Sequence, residues 1–179
     1  SQMSRIGLGG INTGRAIVRV NIVGTVLFIL SSTWAAVVFD GVAKAQGVAV
    51  DLILFAVGVV AFLWGYYAAV QRSRTSQMSV AELYFLMGVA IPVPVKRIMN
   101  GLLLVQTTAA IVTAMTRLST PSADGGATNG STLAFGVLVP VLGLGLNGLW
   151  AASHGLFPPR VLKQRADDTR DPDTDPKIG

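Results

Sequence analysis

The sequence contains no cysteine, a single histidine, and few charges: Asp, Glu, Lys and Arg together make up 13% of 179 residues. The missing cysteine excludes disulfides, cysteine-ligated iron–sulfur clusters and thiolate zinc sites, and leaves the redox compartment open. His154 alone cannot supply both axial ligands of a haem within one chain. Soluble domains carry roughly 25% charged residues. A deficit this large, beside 51% hydrophobic residues and a mean hydropathy of +0.59, points to a membrane protein.

Acids and bases are also missing from the middle of every long apolar run. The net charge of +5 would suit nucleic acid, but the cations lie between apolar runs instead of sharing one face. That is the pattern membrane topology uses, so no nucleic-acid partner is expected. The Ala/Val/Gly-rich, Lys-poor composition resembles that of proteins from high-GC actinobacteria, and a bacterial plasma membrane is the expected location.

What is present is four stretches long enough to cross a bilayer, at about 17–39, 48–70, 98–115 and 132–153. A hydrocarbon core of ~30 Å takes roughly 20 helical residues. The expected fold is therefore an all-α integral membrane protein: a short segment 1–16, a four-helix membrane domain over 17–153, and a polar tail 154–179. Arginines precede the first run, as in a signal peptide, but that run is too long for an h-region and ends in no clean small-residue cleavage site, so it reads as a retained helix. Twelve of the 14 cations fall before the first span or in its opening turn, between the second and third, or after the fourth, leaving Lys44 and Arg117 on the other side. Both termini are then cytoplasmic. "DGVAKAQG" and "STPSADGGATNG" become the outward loops. Trp34, Trp64, Tyr66, Tyr67 and Trp150 lie toward span ends, where amphipathic rings prefer to sit. The tail "QRADDTRDPDTDPKIG" has no apolar face; alone it should be disordered, and a partner surface would be needed to order it.

The stretch "MGVAIPVPVKRIMNG" (87–101) interrupts the apolar pattern with Pro92, Pro94, Lys96 and Arg97. Upstream, Ser79 and Glu82 have capping-box spacing. The run 80–91 is too short to span and reads as an interfacial or re-entrant helix on the cytoplasmic side. Ile91 and Val93, each before a proline, are biased toward extended backbone. If the prolines instead kinked one long span, Lys96 and Arg97 would sit near mid-membrane, at roughly 2.5–3.5 kcal/mol each. An elbow at the membrane surface avoids that cost. It also makes Lys96, Arg97, Pro92 and Pro94 the candidate contact for an anionic lipid head group or a partner.

Small residues recur every four positions in two stripes: Ala61, Gly65 and Ala69, and Gly143, Asn147 and Ala151, with Gly148 and Ala152 beside the second. Such stripes let helix backbones approach closely, in this chain or between chains. Neutral polar residues in the spans, including Asn21, Thr25, Asn100, Gln106 and Asn147, are suited to bonds across helices. Asp51, near the outer start of the second span, suits a helix N-terminus, and Glu82 is accounted for by capping. His154 suits a helix C-terminus. The Gly-rich "GLGGINTG" lacks the Gly-Lys-Ser/Thr ending of a phosphate loop and follows no strand. No Ser/His/Asp group, paired carboxylates or metal-ligand cluster emerges, so no enzyme activity, cofactor or metal is expected.

The expected role is a non-catalytic accessory or structural subunit in a larger membrane assembly, contacting membrane lipids and other integral membrane subunits. One alternative is a small four-helix transporter of apolar or cationic solutes, although such proteins keep an acid within a span. Another is a lipid-binding protein built on Lys96 and Arg97.

Overall fold

Residues 3–38, 41–76, 78–87, 91–118 and 132–159 are described by a computed structural model of the chain. The tail from residue 160 and the loop 119–131 lie outside these residues. The described residues are helical, with no strand: α1 (Met3–Val38), α2 (Gly41–Ser73), α3 (Val80–Tyr84), α4 (Val93–Leu118), a 3-10 segment (Thr132–Leu138) and α5 (Pro140–His154). Four helices are long and apolar enough to cross a membrane, over Thr13–Val38, Gly41–Ser73, Val93–Met115 and Phe135–His154.

The most extensive interface joins α2 to α5. The two run parallel: a Cβ built on Gly58 would stand 2.6 Å from the Leu142 amide nitrogen, and one on Gly65 2.7 Å from that of Leu149. Neither position tolerates a side chain without pushing the helices apart. The pattern behind this is continuous, since the buried face of α2 is Ala43, Gly47, Asp51, Leu54, Gly58, Ala61, Gly65 and Ala69. Steps of three and four keep all eight on one helical stripe. The stripe predicted from 61 to 69 is thus the last three positions of a longer one, which meets α5 of the same chain at Gly58 and Gly65. The second predicted stripe turns elsewhere: a Cβ on Gly143 would meet Gln106 and Leu103 of α4, and Gly148 is filled by the Tyr84 ring. The residues that α5 offers to α2 include Leu142, Gly145, Leu149 and the backbone of Gly148.

α5 therefore sits at the centre, with 61% of its span's apolar window buried, against 33%, 28% and 17% for the spans of α1, α2 and α4. α1 and α4 both run antiparallel to α5, as Gly14 beside Trp150 and His154, Gly24 beside Leu142, and Asn100 beside Asn147 attest. Chain direction thus alternates from span to span. The fully buried core includes Phe28, Leu86, Met99, Val139 and Leu142.

Several boundaries differ from the sequence reading, three of them before α4. α1 begins at Met3 instead of near residue 17, because no proline interrupts 3–16. The first loop, read at 40–47, is mostly the opening of α2: Ala43 and Gly47 are buried, and Gly47 packs near Ala35. The short helix, read at 80–91, ends at Tyr84 because Leu86 takes a left-handed conformation (φ 52°). That conformation costs roughly 1–2 kcal/mol for a residue bearing a Cβ. Burying the whole Leu86 side chain offsets it.

Candidate functional site

Polar groups inside the bundle fall at four levels along α5. At the end where α2 and α5 finish, Arg72 Nη1 donates to the Ala152 carbonyl at 2.6 Å and Nη2 to the Gly155 carbonyl at 2.8 Å. Its guanidinium also lies 5.8 Å from the Phe157 ring centroid. The last carbonyls of a helix have no partner within it and carry its negative end. A planar cation with several donors satisfies both needs. Arg72, read from sequence as one more cation setting topology, is thus a clamp between α2 and α5. His154 stacks on Trp150 at 5.5 Å.

At the same end lies the proline elbow. α4 starts at Val93, earlier than the span expected from residue 98, and Lys96 N donates to the Pro92 carbonyl at 3.1 Å to close its first turn. Pro94 stands in that first turn, where its missing N–H loses no bond. Val93 is therefore helical, and the extended bias holds no further than Ile91–Pro92. Of the four predicted contact residues, one lines a groove. Pro92, Pro94 and Arg97 are exposed. Lys96 is half-buried and lines a groove of about 470 Å³ with Phe85, Met87, Leu103, Leu104 and Thr107.

One level further in, two amides serve the end of α3. The capping box at its start is complete: Glu82 N donates to Ser79 Oγ, and Ser79 N donates to the Glu82 carboxylate, both at 3.1 Å. Its last carbonyls are taken by side chains from other helices. Asn147 Nδ2 donates to Tyr84 O at 3.0 Å, and Asn100 Nδ2 to Phe85 O at 2.7 Å. Asn147 Nδ2 also reaches Asn100 Oδ1 at 3.2 Å. The Tyr84 ring stacks on Phe62 at 4.4 Å. Burial, and next the neighbouring Tyr66, push the Tyr84 phenol above its ordinary pKa.

The third level is near the middle of the bundle. Gln106 Nε2 donates to Asn21 Oδ1 at 3.0 Å and to Thr25 Oγ1 at 2.7 Å, and Asn21 Nδ2 reaches Met99 Sδ at 3.5 Å. Asn21, Thr25 and Gln106 are all buried, so they tie α1 to α4 where lipid cannot compete.

Asp51 forms the fourth level. It is 5% exposed, and its Oδ1 has no hydrogen-bond partner. Gly136 of the 3-10 segment comes beside it: a Cβ built there would lie 3.7 Å from Oδ2 and 3.2 Å from the ring of Phe28 of α1. An ionised carboxylate at a bilayer centre costs up to roughly 3 kcal/mol by insertion scales. Asp51 begins the uninterrupted apolar run to Val70, so it lies near the edge of that region instead. Its burial was legible from sequence: Asp51 shares the stripe of Gly47, Gly58 and Gly65. Two more buried acceptors have no donor, Gln106 Oε1 and Asn147 Oδ1. Among the described residues no group of three His, Cys, Asp or Glu is placed to hold a metal ion.

No family model matches this chain, and no curated protein or solved structure matches it either.

Proposed function

We propose that the chain is a non-catalytic integral membrane subunit of a larger membrane assembly. It would lie in a bacterial plasma membrane, in keeping with its actinobacterial type of composition, with both termini and the Arg72 end cytoplasmic. α3 would rest at the cytoplasmic surface. The carrying observation is uneven burial: α4 has 17% of its apolar window covered by its own chain, whereas α5 has 61%. The outward side of α4 carries Gly101, with nothing within 4 Å of its Cβ position, and exposed Thr108 two turns on. Small residues at such spacing favour a second helix over lipid. Purification in a gentle detergent should bring down a second membrane protein in fixed ratio. A monodisperse monomer with nothing bound would overturn the reading.

Two observations favour other readings. The Lys96 groove suits a lipid with an anionic head group, its acyl chain along Leu103 and Leu104. Native mass spectrometry should then show anionic lipid held by the wild type and lost from a Lys96→Ala/Arg97→Ala double variant. Asp51, a buried acid at the start of a span, is the feature a four-span transporter of apolar or cationic solutes would use. Coupled uptake abolished by Asp51→Asn with Glu82→Gln would favour transport over a scaffold.

A further inference from the structure

We propose that Asp51 is a binding site for a small monovalent cation, a proton or a sodium-sized ion, inside the helix bundle. The inference does not depend on whether a partner subunit docks on α4. It rests on geometry. Asp51 lies on the buried face of α2, against Phe28 and Gly136, and Oδ1 accepts from no donor. A carboxylate removed from water needs a compensating positive charge, a proton or several hydrogen bonds.

No described side chain supplies that charge. α1 carries Arg15 and Arg19 within its span, the nearer of them nine residues before Phe28, about 13 Å along the axis. The 3-10 segment contains no titratable residue, and α5 contains His154 alone, at its far end. On α4, Lys96 and Arg97 lie at that same far end, and the Arg117 side chain is outside the described set. On α2 itself, Lys44 is seven residues away, about 10.5 Å by helical rise, and Arg72 is occupied at the opposite end. A partner helix cannot bring a cation in, because Asp51 faces the bundle interior. What can reach it is small.

A groove of about 670 Å³ between α1 and α2 is lined by Ser31, Trp34, Gln46, Gly47 and Val50. It comes within one helical turn of Asp51 at Gly47, where Ala35 packs against the glycine and separates groove from carboxylate, so a small cation enters as that contact opens. Deeper in, Gln106 Oε1 and Asn147 Oδ1 are further buried acceptors without donors. All three unpartnered oxygens border the column formed by α5 and its preceding 3-10 segment. An interior with acceptors in excess of donors suits cations and the water that accompanies them, and disfavours anions. In the proton case an Asp51 oxygen gains an O–H bond and the charge is cancelled. In the sodium case the carboxylate stays ionised and the ion supplies the charge.

The test uses the full chain in detergent or liposomes and dicyclohexylcarbodiimide, a lipid-soluble reagent that modifies protonated carboxyls in apolar surroundings. Peptide mass spectrometry should place one adduct on Asp51, and Asp51→Asn should abolish it while Glu82→Gln does not. Labelling that slows severalfold as pH rises, with sodium chloride no different from choline chloride, identifies the proton. Labelling that sodium slows severalfold at fixed pH identifies the larger cation. No adduct on Asp51 at any pH without sodium overturns the proposal. So does labelling indifferent to both pH and sodium. Melting supplies an independent readout, because Asn keeps the shape of the carboxyl without its charge. The variant should melt at or above the wild type, with the pH or sodium dependence of the wild type gone. A lower melting temperature with that dependence unchanged would give Asp51 a packing role and overturn the proposal.

Discussion

The two ends of the bundle treat charge in opposite ways. At one end Arg72 lies between α2 and α5 with its donors taken by the Ala152 and Gly155 carbonyls and Phe157 against its face. At the other, Asp51 is buried on the same helix, with Oδ1 unpartnered and a glycine and a phenylalanine beside it. Both residues stand on one 33-residue helix and flank its long apolar run. The difference teaches how to read each. A half-buried charge whose donors are taken by helix-end carbonyls belongs to the structure, and removing it leaves those carbonyls stranded. A buried carboxylate oxygen that accepts from no donor gains nothing for the fold by being there, and this is what the proposed cation would answer.

Substitutions can break this contrast or sharpen it. The largest effect belongs to the interface that carries both residues. Gly145→Val drives a side chain into the Gly58 carbonyl and the Phe62 amide, so α2 and α5 must separate. A loss of about 3 kcal/mol is expected from overpacking, seen as aggregation on size exclusion and a melting temperature lowered by many degrees. Next is Arg72→Ala, which strands the Ala152 and Gly155 carbonyls. About 2 kcal/mol should be lost, in line with hydrogen bonds to a charged group. Arg72→Lys should recover part of it, since an ammonium cannot span both acceptors. A full recovery by Lys would reduce Arg72 to a surface charge.

Gln106→Leu tests the middle level, where α1 and α4 meet. The expected loss is about 1 kcal/mol, because hydrogen bonds between membrane helices average ~0.6 and rarely exceed ~2. A larger loss, read by thermal melting in detergent, would show that α4 depends on its few polar contacts. Ser79→Ala should lower stability by ~1 kcal/mol or less, as the capping box it opens is exposed. Its effect should be confined to amide exchange in 80–84.

Much of this was legible in the residues. The four spans and the capping box follow from apolar length and from the Ser79–Glu82 spacing, both local signals. The small residues at 61, 65 and 69 signalled close packing, but not that α5 of the same chain would fill the stripe. Chain-distant pairs were invisible for the same reason. Asn100 and Asn147 each serve a carbonyl at the end of α3, and nothing near them in sequence announces that end. α3 itself ended earlier than its apolar run suggested, because tertiary burial of Leu86 outweighed a left-handed backbone.

By itself the sequence determined the class of the protein, because apolar length and charge placement act locally: about twenty residues without charge make a helix suited to a bilayer whatever the rest of the chain does. Only the tertiary structure decided what each polar residue is for. Arg72 and Asp51 look alike as charges flanking the apolar run of one helix. Carbonyls at the end of α5 complete the first, while a glycine and a phenyl ring leave the second open. Neither outcome could be read along the chain, because the atoms that decide it come from other helices, between 23 and 85 positions away.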